Sequence, residues 1–150
     1  MMTLRPWGPV FAALVTMMTV SSGCSSSGAS SQSSGSRQAL AGTSWLAEDI
    51  GRRGVLDNPR TTVSFDQAGR VSGSGGCNRY GGPVEVSGET IRFGPLASTR
   101  MACSPAISDQ EERFFAALRS ATRVVITAED KLVLYDATGD PVVTFSRVEP

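Results

Sequence analysis

Gly73-Ser74-Gly75-Gly76-Cys77-Asn78-Arg79-Tyr80-Gly81-Gly82 and, further on, Leu96-Ala97-Ser98-Thr99-Arg100-Met101-Ala102-Cys103 decide how this chain is read. Each places one cysteine in a body that otherwise has none, and the first surrounds it with glycines. Consecutive glycines permit positive φ and close approach of backbone, as at bulges and sharp bends of strands. Asn78 also tolerates a left-handed conformation. The segment reads as a structural corner pinned by Cys77, with the Tyr80 ring free to lie across the glycine surface; the competing reading is a ligand-contacting loop. Phosphate-loop patterns fail on the residues themselves. A dinucleotide-binding run from Gly73 needs glycine where Asn78 stands, and a Walker run from Gly76 needs Lys and Ser or Thr where Gly82 and Pro83 stand. Neither leads into a helical segment that would supply N-terminal amides.

Outward from these segments the chain alternates with period two between turn signals, the pattern of half-buried antiparallel strands. Trp45 stands in the first such run, and Val63 and Phe65 share a face of the second. Asp66-Gln67-Ala68-Gly69 is a turn into Arg70-Val71-Ser72, and Ser87-Gly88-Glu89 joins Pro83-Val84-Glu85-Val86 to Thr90-Ile91-Arg92-Phe93. Towards the end come Val124-Val125-Ile126-Thr127, Lys131-Leu132-Val133-Leu134-Tyr135 and Val142-Val143-Thr144-Phe145, with turn-like connectors. One helix interrupts them. Ser108 fits an N-cap with Glu111 reaching back as the third residue of a capping box. Phe114, Phe115, Leu118 and Ala121 follow at helical spacing as core residues, and Asp109 stands four before Arg113. The expected fold is α+β: a single small domain with a strongly curved or barrel-like antiparallel sheet of about 7–8 strands and one amphipathic helix packed on it.

The N-terminus reads as an export signal over residues 1–23. A short positive start precedes an apolar run of about 11 residues, too short for the roughly 20 that span a bilayer. Ser21-Ser22-Gly23-Cys24 resembles a bacterial lipobox, with Cys24 as the lipidated residue; Ser21 stands where that motif usually has Leu, and an ordinary cleaved signal is the alternative. Two or more acyl chains such as palmitate anchor stably where one is marginal. Residues 24–38, rich in Ser and Gly, read as a flexible tether, and residues 39–150 as the folded body, large enough for one core. Of the three cysteines, lipid on Cys24 leaves Cys77 and Cys103 as a pair in an oxidising compartment. Bridging them closes a loop of about 26 residues, for which the chain-entropy model gives about 3 to 4 kcal/mol. Two buried free thiols are the other reading.

Composition limits the chemistry. With no histidine, neither a Ser-His-Asp triad nor a Cys-His pair can form, and histidine-based metal sites are excluded. The adjacent acids Glu48-Asp49, Glu111-Glu112 and Glu129-Asp130 point apart on strand or helix, so they read as solvated surface groups rather than a facing catalytic pair. Lys131, the only lysine, reads as a solvated charge in a turn. The 14 Lys+Arg balance 14 Asp+Glu, so no basic excess points to nucleic acid.

Gly42-Thr43-Ser44-Trp45, then Val63-Ser64-Phe65, then Gly73 to Tyr80 with its Gly-Cys-Asn core, resemble the META domain of the HslJ heat-shock family. Phe93-Gly94-Pro95-Leu96-Ala97-Ser98-Thr99-Arg100-Met101-Ala102-Cys103, followed by Gln110-Glu111 and Phe114, is similar to that family's second signature. The resemblance spans nearly the whole body. It implies an envelope-associated domain, often a lipoprotein, linked to stress responses, novobiocin resistance and, in a parasite relative, virulence. It brings no catalytic residues. Trp45, Gly75, Gly76, Cys77, Asn78, Tyr80, Thr99, Arg100, Met101 and Cys103 match as structural positions. The expectation is a non-enzymatic protein without cofactor or metal, exported and lipid-anchored in a bacterial cell membrane or outer membrane with its domain facing periplasm or exterior. It would act in stress response or envelope integrity by binding or scaffolding an unknown protein or small-molecule ligand. The alternative is a surface-tethered inhibitor or binding module for an exported hydrolase. Residues 51–60 form an Arg-containing loop to which the sequence assigns no role.

Overall fold

The computed structural model describes residues 32–149. The lipobox reading at Cys24 and the signal reading over residues 1–23 lie outside them. Nine strands and two helices follow in the order α1 (Gln32–Leu40), β1 (Thr43–Ile50), β2 (Thr62–Phe65), β3 (Arg70–Ser74), β4 (Arg79–Ser87), β5 (Thr90–Phe93), β6 (Ala97–Ser98), α2 (Pro105–Ser120), β7 (Arg123–Ile126), β8 (Lys131–Tyr135) and β9 (Pro141–Val148). All strand pairs are antiparallel, and the β3–β4 pairing joins the ends of the order β3-β2-β1-β9-β8-β7-β5-β4. Eight strands thus close a barrel, as the alternating patterns predict, and β6 is an extra strand on β4. The seam is β5–β7, a single registered pair, Thr90 with Arg123. It is reinforced by Ile91 N–H to Thr122 O (3.0 Å) and Val124 N–H to Glu89 O (2.7 Å).

Alternation puts one face of each strand inside. In β4, Tyr80, Gly82, Val84 and Val86 are buried while Arg79, Glu85 and Ser87 are exposed. A barrel of this size is filled by its own side chains. Here Trp45, Val63, Phe65, Val71, Ile91, Leu132, Leu134, Val143 and Phe145 fill it. At one position the filling is closed by charge: the Arg147 guanidinium lies 4.4 Å over the Trp45 ring and is held by both oxygens of Asp130, at 2.6 and 2.9 Å.

Several expectations change. The Ser/Gly-rich stretch continues not as coil but into α1, which is fastened at its end: Leu40 is buried in the core, and the Thr43 hydroxyl donates to Leu40 O at 2.6 Å while accepting the Trp45 indole N–H at 2.7 Å. α2 begins at Pro105 with an extended Ser104 as its N-cap, four residues before the expected Ser108. Proline is pre-set for the first helical position, and it displaces the capping box because Glu111 is engaged elsewhere. Lys131 is not a free charge: its ammonium pairs with Glu48 at 2.6 Å across the β1–β9–β8 sheet. The Asp109–Arg113 pair forms as the spacing predicts, at 3.1 Å.

α2 packs its buried face, Gln110, Glu111, Phe114, Ala117 and Leu118, towards the barrel. Phe114 meets Phe145 of β9 with ring centroids 6.3 Å apart and Tyr80 of β4 at 5.7 Å. Phe115 meets Tyr80 edge-on at 5.4 Å. The Tyr80 ring is therefore in the core, not spread over the following glycines, because two helix aromatics offer it edge-to-face contacts.

Candidate functional site

The β3–β4 hairpin turns through residues 75–78, closed by Gly75 N–H to Asn78 O at 2.8 Å. The turn works only with glycine at its first two positions. Gly76 sits at φ +118°, and a Cβ on Gly75 would lie 2.7 Å from Oε2 and 2.8 Å from Cγ of Glu111. The expected solvated acid Glu111 is instead 8 % exposed and is gripped by this turn. Its Oε2 accepts the Asn78 N–H at 2.5 Å and the Cys77 N–H at 3.1 Å, and its Oε1 accepts the Asn78 side-chain amide at 2.6 Å. A carboxylate held by several N–H donors is well satisfied despite burial, which is why an acid from α2 can stand here.

Asn78 passes the connection on. Its Oδ1 accepts Met101 N–H at 2.7 Å and the Thr99 hydroxyl at 3.0 Å. Cys77 and Cys103 are joined by a disulfide, with Cα atoms 6.0 Å apart. The glycine turn, the segment after β6 and α2 are thereby locked together at one end of β4. Beside them, fully buried Gln110 serves the loop of residues 51–60. Its Oε1 accepts Leu56 N–H at 2.7 Å and its Nε2 donates to the Thr61 hydroxyl at 3.0 Å, which in turn donates to Gly75 O at 3.1 Å. Among the described residues no buried side-chain nitrogen or oxygen lacks a partner. Gln110 and Glu111 were missed as polar anchors because their helical neighbours announce a packing face; their presence in the second motif was the available signal.

The remaining matched residues face outward. Thr99 and Arg100 are exposed, and Met101 is 65 % exposed, the most exposed large apolar side chain among the described residues. Beside them a notch of about 250 Å³ is lined by Gly94, Pro95, Leu96, Ser98, Phe115 and Arg119. Two shallower grooves lie elsewhere, one against the outer hydroxyls of β2 and β3 (about 400 Å³), the other between β1 and the 51–60 loop (about 520 Å³). The acid and the phenol of the lock are both engaged. Both Glu111 oxygens are committed, and burial pushes the Tyr80 phenol far above its usual range while its O–H donates to Thr62 O at 2.9 Å. The exposed surface of the region consists of Arg100, Met101 and the notch.

The family model for the META domain matches residues 38–149. No curated protein matches the chain. Among solved structures, one determined by NMR is 26 % identical with a TM-score of 0.60, covering 73 % of this chain and 92 % of its own. An NMR structure of a protein from Burkholderia xenovorans is 24 % identical with a TM-score of 0.61, covering 97 % of this chain and 100 % of its own. A crystal structure of a duf4847 family protein from Bacteroides vulgatus ATCC 8482 is 17 % identical with a TM-score of 0.54, covering 77 % of this chain and 99 % of its own. The last two are likenesses of fold.

Proposed function

The chain belongs to the META domain family, and from that premise we propose that it is a non-enzymatic, lipid-anchored protein of the bacterial envelope that supports stress tolerance by binding or scaffolding another envelope component. The observation that carries this reading is the division of labour within the matched segments. Their polar and charged groups, Glu111, Asn78 and Gln110, are consumed by one another and by backbone amides. The side chains of Arg100 and Met101 make no hydrogen bond or ion pair among the described residues and stand in solvent. An exposed apolar side chain beside an arginine suits a protein contact better than a reaction. The lipobox-like sequence ending at Cys24 supports anchoring and export.

Two measurements test it. Cys24→Ala moves the protein from the membrane fraction to the soluble fraction; unchanged retention contradicts the anchor. Affinity capture on the processed chain recovers an envelope component that Met101→Glu no longer retains. A single recovered hydrolase whose activity falls on binding would instead favour an inhibitor.

A further inference from the structure

β6 stands at an end of the strand order, since β3 closes on β4. β6 lies on β4 with Tyr80 opposite Ser98 and Gly81 opposite Ala97, and Thr99 N–H donates to Arg79 O at 3.0 Å. In an antiparallel ladder the groups of alternate residues point to alternate sides. Ala97 and Thr99 therefore face β4, and the N–H and C=O of Ser98 face away, where no described strand pairs with them. Ser98 also lines the notch with exposed Pro95 and with Leu96 and Phe115, whose half-buried side chains give it an apolar wall. Arg119 completes that notch, Arg79 lies across the ladder from Thr99, and Arg100 follows it in the chain. None of these three guanidiniums takes part in an ion pair among the described residues.

Resting on the reading that this face binds, we propose that the partner is a protein segment in extended conformation, alternating apolar and acidic residues, that adds as a strand to the free edge of β6. The Ser98 amide and carbonyl supply main-chain hydrogen bonds, and the notch takes an apolar side chain. Arg79, on the exposed face of β4 opposite the notch, takes the acids. This is strand addition with a side-chain pocket for specificity. The charge selects an acidic partner, and the paired backbone donor and acceptor select a peptide over a polyanion.

The test uses the processed chain in mild nonionic detergent against a library of end-blocked hexapeptides alternating Val, Leu or Phe with Glu or Asp, and a matched library with Lys at the acidic positions. Members of the acidic library bind and the Lys library does not. Ser98→Pro removes the outward N–H, a change that edge strands tolerate, and weakens binding at least tenfold, whereas Ser98→Ala, which keeps it, binds as wild type; Arg79→Glu, at an exposed strand position, weakens binding likewise. Failure of every acidic peptide to bind overturns the proposal, as does binding that Ser98→Pro leaves intact. Equal binding of polyphosphate makes the face an anion site, and a dimer that Ser98→Pro dissolves makes the occupant a second copy; either result overturns it. A negative library together with a partner cross-linked at Met101 retires strand addition alone, whereas loss of both retires the binding reading.

Discussion

Glu111 is the residue on which the two cysteine-bearing segments depend, since its two oxygens hold the glycine turn while its backbone belongs to α2. Glu111→Ala leaves two backbone amides and one side-chain amide without their acceptor. Each buried donor left unpaired costs about 1–3 kcal/mol, so urea unfolding should show a loss of about 3 kcal/mol or more, and a loss under 1 contradicts the assignment. Gly75→Ala drives a methyl group into the same carboxylate and should lower stability similarly. Opening the Cys77–Cys103 bridge by a double Cys→Ser change should cost about 2–5 kcal/mol, and thiol labelling of the denatured, unreduced protein should find both sulfurs blocked. Here the sequence was half legible. Glycine repetition announced a backbone that admits no side chain, and cysteine arithmetic announced a bridge. Nothing local announced that an acid eight residues past the second cysteine would be what the glycines make room for, because that contact joins residues separated by 33–34 positions.

At the scale of elements, period-two alternation was a reliable guide because each strand has one face inside a filled barrel. β6 escaped it, since a strand of two exposed residues has no buried face to alternate. The start of α2 was misplaced because two cap signals competed and proline at its first position prevailed. The helix is held by its aromatics, so Phe114→Ala should destabilise by about 3–5 kcal/mol, read from the unfolding midpoint, with Phe115→Ala costing less at its half-buried site. The β7–β8 turn carries a pH dependence. The hydrogen bond and charge of Arg147 hold Asp130 below the usual aspartate range. A depressed acid contributes stability that is present above its unfolded value, about 3.9, and is lost as pH falls through its folded value. Wild type should therefore melt higher than Asp130→Asn at pH 6, and the two should converge as the pH falls below the folded value of Asp130. A gap that persists in acid contradicts the pair. Because Asp130 is solvent-exposed, the effect should be small.

At the scale of the whole molecule, the closed barrel carries one strand, β6, at an end of its order, and the two cysteine-bearing segments divide between a buried lock and the exposed face beside β6. The family and the curved sheet were legible in the sequence from the order and spacing of several segments. The division was not, because exposure is a property of the assembled fold: Thr99 and Met101 look like further structural positions until Asn78 is seen to take one hydroxyl and one backbone amide and leave the Met101 side chain outside. We propose that this face meets a protein partner in the envelope. Replacing Met101 by a photo-crosslinking amino acid in living cells, with Arg70 on the far end of the β3–β4 pairing as the control position, tests it most directly. The account predicts one discrete cross-linked species from position 101, absent from position 70 and lost in a Ser98→Pro background. No adduct at 101, or the same pattern from both positions, would contradict it.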